Sequence, residues 1–457
     1  MATLPHLPIE VATIIFTELR PRDWLSLRRT CKGINAKTAH LFTKSFFKKR
    51  VVMLERRSLQ CLESIATHHA LSQSVEELEI CTSHLLPLDE VREIEPPYSE
   101  YENMMKSLRG KITPAELGID YDEWYDRWQI NNGEGDSSDS DDADDADDDD
   151  GDGDTERDRL RRLNASEYRK RLYDQEDVMQ SRYDVKCLTQ AMAHFKRCKH
   201  INISSSIQAW GLNRLRRSIG ILPQRGLTFE SKESTRLVRH IIHVVLTAVA
   251  ASKIQVEVLN IGPEGMLMNS NRVSPFMLMG PSSAILVESP PFSLRRLQIS
   301  LDPNVPQHVP VSSKWDSDLI RFIKLLPELS YLELVFEERD EMGRFSELGK
   351  ELYIPKLEKL MLSCIDCARE DIALCLIRHR RTLREVVLDS IQLAGNTASW
   401  RWLIEIIRDS LDLVSLSIES SGAKEEVGVS RFIDLDDMQA TDIQGLTEII
   451  SILAAKI

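Results

Sequence analysis

The sequence predicts an α/β protein: a short helical segment at the N-terminus, then an irregular solenoid of short parallel strands backed by outer helices. Three observations predict it. An apolar pattern with residues at positions one, four and six returns along the chain, as Val75-Leu78-Ile80, Val256-Leu259-Ile261, Leu294-Leu297-Ile299, Leu329-Leu332-Leu334, Leu357-Leu360-Leu362, Leu383-Val386-Leu388 and Leu413-Leu416-Ile418, with a weaker copy at Cys198-Ile201-Ile203. A helical stretch precedes most copies. The steps between copies are long and unequal, which suits full helices as outer elements. One such match in a leucine-rich chain carries no weight, but this many are not accidental.

Each element follows from local chemistry. Apolar residues at helical spacing predict helices over 58–72, 184–196, 234–251, 316–326, 370–380 and 400–411. The fourth of these stops at Pro327, whose missing donor breaks a helix. A last helix over 441–455 is placed to cover the open end of the array. Each strand follows its helix and buries its apolar residues only against its neighbours. Successive side chains on a strand point to opposite faces, so positions four and six face inward and three, five and seven face outward. Candidate target contacts are therefore Arg296, Tyr331, Lys359 and Glu385 at position three, with Glu333 and Met361 at position five. A generic α/β domain with a parallel sheet stays open as the competing architecture.

The one-four-six pattern resembles the leucine-rich repeat. Such repeats often carry Asn or Cys at position nine, bonding the turn backbone. Here those places hold Glu264, Asp302, Glu337, Ile365, Ile391 and Ser421, so an irregular array is expected rather than a regular horseshoe.

The first residues carry a different pattern. Leu7-Pro8-x-Glu10 leads into Val11, Ile14, Ile15, Phe16 and Leu19, then Asp23, Trp24, Leu25, Leu27, Cys31 and Lys32. Two short helices with apolar faces cannot bury both on each other, and the surplus face suits a partner. This segment resembles the F-box, with Ile34 departing from the aromatic residue many members carry there. The resemblance implies docking to the Skp-type adaptor of cullin–RING ubiquitin ligases. Leu7, Pro8, Val11, Ile15, Phe16, Leu19, Leu25, Leu27 and Cys31 are the expected adaptor anchors. The organisation expected is an F-box over 1–50, a first helix–strand unit over 51–85, an insert over 86–182 and the array over 183–457. The function implied is that of a ligase substrate-recognition subunit, with an interaction scaffold lacking any ubiquitination role as the alternative.

Composition narrows the classes. The net charge of −14 is concentrated: 134–154 holds thirteen acidic residues and no basic one, and the rest is nearly neutral. Global charge therefore gives no case for nucleic-acid binding. The acidic tract cannot bury apolar area and is expected to be disordered. A basic run from Arg157 to Arg171 reads as one charged helix face, and Tyr121, Trp124, Tyr125 and Trp128 as packing residues. The longest apolar run, Ile241 to Ala251, is too short to span a bilayer, and no secretory signal precedes the cysteines, so a soluble intracellular protein, cytoplasmic or nuclear, is expected.

No covalent chemistry is expected. Cys364, Cys367, Cys375 and His379 have metal-like spacing, but Cys375 sits in an apolar helix where a free thiol is an ordinary core residue. His240 and His243 lack a third ligand nearby. No nucleophile elbow, zinc-protease or phosphate-loop motif occurs. No enzyme, cofactor or metal is expected.

Overall fold

The computed structural model describes residues 8–19, 21–91, 163–204, 209, 211–221, 223, 232–262, 273–278, 280–281, 292–301, 314–336, 344–424, 432–434, 438–441 and 443–455. The acidic tract 134–154 and the aromatic cluster at 121–128 lie outside them.

Three helices open the chain: α1 (Ile9–Thr17), α2 (Pro21–Thr30) and α3 (Lys32–Phe47). Helix and strand then alternate. Strands β1 (Lys49–Met53), β2 (Glu77–Cys81), β3 (His200–Ser204), β4 (Val258–Ile261), β5 (Arg296–Leu301), β6 (Tyr331–Phe336), β7 (Lys359–Ser363), β9 (Glu385–Asp389) and β11 (Ser415–Glu419) stand in the sheet in chain order. All these neighbours are parallel, and the antiparallel β14 (Met438–Ala440) closes the row. A parallel neighbour needs a long crossover. Helices supply it, among them 56–67, 183–194, 232–252, 315–323, 369–378 and 397–410, with 443–455 as the last element. The expected helices fall here within a few residues. The chain is thus mixed α/β with a mostly parallel sheet.

One face of the sheet is buried. In β5, Leu297, Ile299 and Leu301 are buried while Arg296, Gln298 and Ser300 alternate outward, partly exposed. The buried row Leu78, Ile201, Leu259, Leu297, Leu332, Leu360, Val386 and Leu416 is in register across eight strands. Each large apolar side chain taken fully from water stabilises the fold by ~1.5–3 kcal/mol before ordering costs.

A second, shorter ladder runs beyond the strand ends: β8 (Asp366–Cys367), β10 (Gln392–Ala394) and β12 (Gly422–Lys424) are parallel, and β13 (Phe432–Asp434) adds antiparallel. Each of these three coils turns at a left-handed residue just past its main strand: Cys364 (φ 61°), Ser390 (φ 54°) and Ser420 (φ 45°). The next residue, Ile365, Ile391 or Ser421, is fully buried. Ser421 bonds the turn backbone: its hydroxyl accepts from the Ile391 amide at 3.0 Å and donates to the Glu419 carbonyl at 2.8 Å.

Three findings depart from expectation. Strand β1 begins inside the segment read as purely helical. A helix over Ala165–Gln180 lies within the expected insert yet packs on the array: Val178 joins the main core, and Tyr168 exchanges hydrogen bonds with the Leu86 backbone at 2.8 and 3.0 Å. Finally, Tyr168, Leu212, Leu215 and Ile219 cover Met53 and Cys81, so the outer face is closed at the C-terminal ends of the first two strands.

His84 links the first unit to the helix at 232–252. Its Nδ1–H donates to the Thr82 carbonyl at 2.6 Å, which leaves Nε2 to accept from the Ser234 hydroxyl at 2.9 Å. Burial pushes this imidazole down to about 4. The unfolded chain, near 6.5, takes up the proton first as pH falls. Stability is therefore fully present above pH ~6.5 and declines toward pH ~4, by about 3 kcal/mol in all from this group. Melting temperatures measured against pH should fall less steeply across that window in His84→Gln than in the unmodified chain; parallel curves would refute the buried neutral imidazole.

Candidate functional site

The N-terminal helices build a small core of their own from Phe16, Trp24 and Ile34. The Phe16 and Trp24 rings meet edge-on at 5.1 Å, and the Trp24 indole N–H donates to the Phe16 carbonyl. Arg28 lies 3.6 Å over the Phe42 ring and grips Asn35 Oδ1 at 2.6 and 2.9 Å. Cys31 caps α3 by accepting from the Ile34 amide through its sulfur at 3.4 Å. Phe42 and Phe46 pack on both this core and the array core, which seats the unit on β1.

Helix α1 is covered on one side only. Ile14 is 63% exposed, Ile9 46% and Val11 40%, with Pro8 exposed at the helix entry. Val11 and Ile14 are one turn apart and Ile15 beside them is half-buried, so α1 presents an apolar ridge to solvent.

The structure divides the anchors read from sequence. Pro8, Val11 and Ile15 lie on or beside the ridge. Leu19, Leu27 and Cys31 are half-buried against the small core. Phe16, expected as a contact, is 1% exposed and can be reached only by opening the unit, so its role is corrected to core. Leu25 lies in α2, and Leu7 lies outside the described residues. Ile9 and Ile14 are exposed on α1 but were not among the expected anchors, although the α1 spacing that marked Val11 also marks Ile14.

The six candidate target residues come together on the outward face. Arg296, Tyr331, Lys359 and Glu385 stand side by side across four strands, and Glu333 and Met361 are neighbours in the next row. The Arg296 guanidinium lies 4.3 Å over the Tyr331 ring and 3.3 Å from Glu333; the Tyr331 hydroxyl donates to the same carboxylate at 2.9 Å. Burial, with the Glu333 charge, pushes that hydroxyl up to about 12. Lys359 pairs with Glu385 at 2.8 Å. Glu333 is 7% exposed, so it supports the floor and is not itself a contact, which corrects its expected role. Beside it, Val335, Met361 and Val387 form a half-exposed apolar strip.

Polar side chains continue the rows to the first strands. Lys49 bridges Glu77 at 3.1 Å and Glu79 at 2.7 Å, Asn202 donates to Glu77 at 2.6 Å, and Asn260 donates to Asn202 at 2.9 Å. Burial works against the Lys49 charge, but hydrogen bonds and charge from Glu79 and Glu77 outweigh it and raise its pKa.

The residues with metal-like spacing are placed in packing roles. His379 donates from Nδ1 to the Cys375 carbonyl at 2.8 Å and accepts at Nε2 from the Ile354 amide at 2.9 Å, so both ring nitrogens are engaged. Burial pushes the Cys375 thiol up to about 12. His240 bonds the fully buried Asp184 at 2.6 Å, and His243 bonds the Gly280 carbonyl at 3.2 Å. Among the described residues no group of three or more His, Cys, Asp or Glu is arranged to hold a metal ion, and none of the described helices is long and apolar enough to cross a membrane.

Truncation separates the two roles in the N-terminal unit. Trp24→Ala should cost about 3–5 kcal/mol locally and abolish amide-exchange protection in 9–47, whereas Ile14→Glu should leave that protection unchanged. Equal effects of the two would contradict the split between core and ridge. Compared with known proteins, the chain matches no family model and no curated protein.

Proposed function

We propose that this chain is the substrate-recognition subunit of a Skp–cullin–F-box ubiquitin ligase. The N-terminal unit acts as the F-box and docks the Skp-type adaptor, and a leucine-rich-repeat-like array holds a protein target. The observation that carries this reading is the ridge of Val11 and Ile14, solvent-exposed on a unit that Phe16, Trp24 and Ile34 already hold together. A monomer gains nothing from such a ridge, and a partner covering it gains ~1.5–3 kcal/mol for each large side chain fully buried.

The chain then works by proximity, fixing a target near the ubiquitin-loaded enzyme and converting a bimolecular encounter into a local one. Arg296, Tyr331, Lys359, Met361 and Glu385 are the contact residues on the array, with Glu333 beneath them. Arg296 and Lys359 offer cations, Glu385 an anion, and Met361 an apolar neighbour, so the target carries mixed charge around an apolar side chain.

Val11→Glu with Ile14→Glu should weaken capture of a purified Skp-type adaptor about a hundredfold or more, with the melting temperature of the array unchanged. Unchanged capture defeats the F-box assignment. If capture is lost while the lifetimes of bound proteins in cells stay the same, the chain is an adaptor-bound scaffold and not a degradation receptor. Tyr331→Ala should weaken target capture and leave adaptor capture intact.

A further inference from the structure

The helix over 232–252 carries two histidines whose rings are only half engaged. His84 and His379 each use both ring nitrogens inside the core. His240 and His243 each use one. A carboxylate and a carbonyl only accept, so the tautomers are fixed: the His240 Nε2–H donates to Asp184 Oδ2 at 2.6 Å, and the His243 Nδ1–H donates to the Gly280 carbonyl at 3.2 Å. The lone pairs left over are on His240 Nδ1 and His243 Nε2. Among the described residues no hydrogen bond reaches either nitrogen.

The groups that orient the rings are themselves held. Asp184 is fully buried, and its other oxygen accepts from the Val185 amide at 2.7 Å. Gly280 packs so closely that a Cβ there would collide with Leu325 Cδ1, so the backbone is tight where its carbonyl meets His243. The two rings also share one surface. Residues 240 and 243 are one turn apart on the helix, with Cβ atoms about 5–6 Å from each other. Their neighbours Ile241, Ile242, Val244 and Val245 are buried, whereas both histidines are partly exposed on the stripe that continues from Arg236 and Arg239.

We propose that His240 and His243 form a surface site for a zinc-class divalent cation, with His240 Nδ1 and His243 Nε2 as the protein ligands and water completing the shell. Imidazole nitrogen suits Zn²⁺ and its transition-metal neighbours, whereas Mg²⁺ and Ca²⁺ take oxygen. A metal-binding imidazole usually donates its other N–H to a carboxylate or a backbone carbonyl, which fixes the tautomer and raises its basicity. Both forms of that support occur here, one turn apart. Neutralising the buried Asp184 charge accounts for His240 alone and gives no reason for His243. Arg182 and Arg239 are close enough for their charges to act on His243. They oppose a metal cation, and with two protein ligands the affinity is modest.

The test is protection from diethylpyrocarbonate, which acylates an unprotonated ring nitrogen, mapped by mass spectrometry on the full chain after metal is stripped with a chelator. Zn²⁺ alone is the probe. Without metal, His240 and His243 should both react. Added Zn²⁺ should protect them together at one midpoint, while the exposed His194 goes on reacting. Mg²⁺ at the same concentrations should protect neither. His243→Gln still donates to the Gly280 carbonyl and keeps the packing, so the melting temperature without metal should stay the same. The Zn²⁺ midpoint for His240 should nevertheless rise about tenfold or more in that variant. The proposal is overturned if neither histidine reacts without metal, if Zn²⁺ protects neither, if His194 is protected at the same midpoint, if Mg²⁺ protects them equally, or if the His240 midpoint is unchanged in His243→Gln.

Discussion

Every other feature depends on stacking between successive strands. A strand with alternating apolar residues has one face to bury, and a lone helix–strand unit is too small to bury it. Here the Leu/Ile/Val residues at positions four and six form two continuous rows. Leu297, Leu332, Leu360, Val386 and Leu416 make the first; Ile299, Leu334, Leu362, Leu388 and Ile418 make the second, and each of these side chains is 1% exposed or less. Because the helices pack on that side, the opposite face is left to polar side chains, and register alone aligns Arg296, Tyr331, Lys359 and Glu385. The interaction that holds the array together therefore also displays its candidate recognition surface.

Much of this was legible in the sequence because the one-four-six spacing is itself the burial pattern. Strand β1 was not, for a physical reason. Its inward position opposite Leu78 is Arg50, a residue no apolar template would accept. The side chain is tolerated there because it donates to the Phe46 carbonyl at 2.8 Å and lies over the Phe47 ring at 5.2 Å. The second ladder escaped because strands of two or three residues show no alternation, and its left-handed turns use Cys and Ser instead of Gly. The helix over 165–180 was legible only in part: its first residues fall in the charged helix face read from Arg157 to Arg171, and the rest was obscured by its charges. Four of them are structural: Arg56 reaches Asp174 and Asp177, and Arg171 reaches Glu167 and Glu55. The helix over Arg344–Glu351 was readable in principle, since Phe345, Leu348 and Leu352 recur at helical spacing and are buried.

The N-terminal segment shows where sequence reading stops. Apolar residues at helical spacing identify a helix, but spacing does not say which of them a fold keeps for itself. Phe16 and Trp24 are kept, joined by ring contact and an indole hydrogen bond, and Ile34 completes the set. Val11 and Ile14 remain outside it. The proposed adaptor surface is this remainder, and its definition needed coordinates.

Amide hydrogen exchange on the full chain, with and without a purified Skp-type adaptor, measures the central claim most directly. Slowed exchange confined to residues 8–19 and their neighbours in α2 and α3, with the array from β2 onward unaffected, is the outcome the account requires. Exchange through α1 that stays the same when adaptor is added, or slowing found on the array instead, would contradict it.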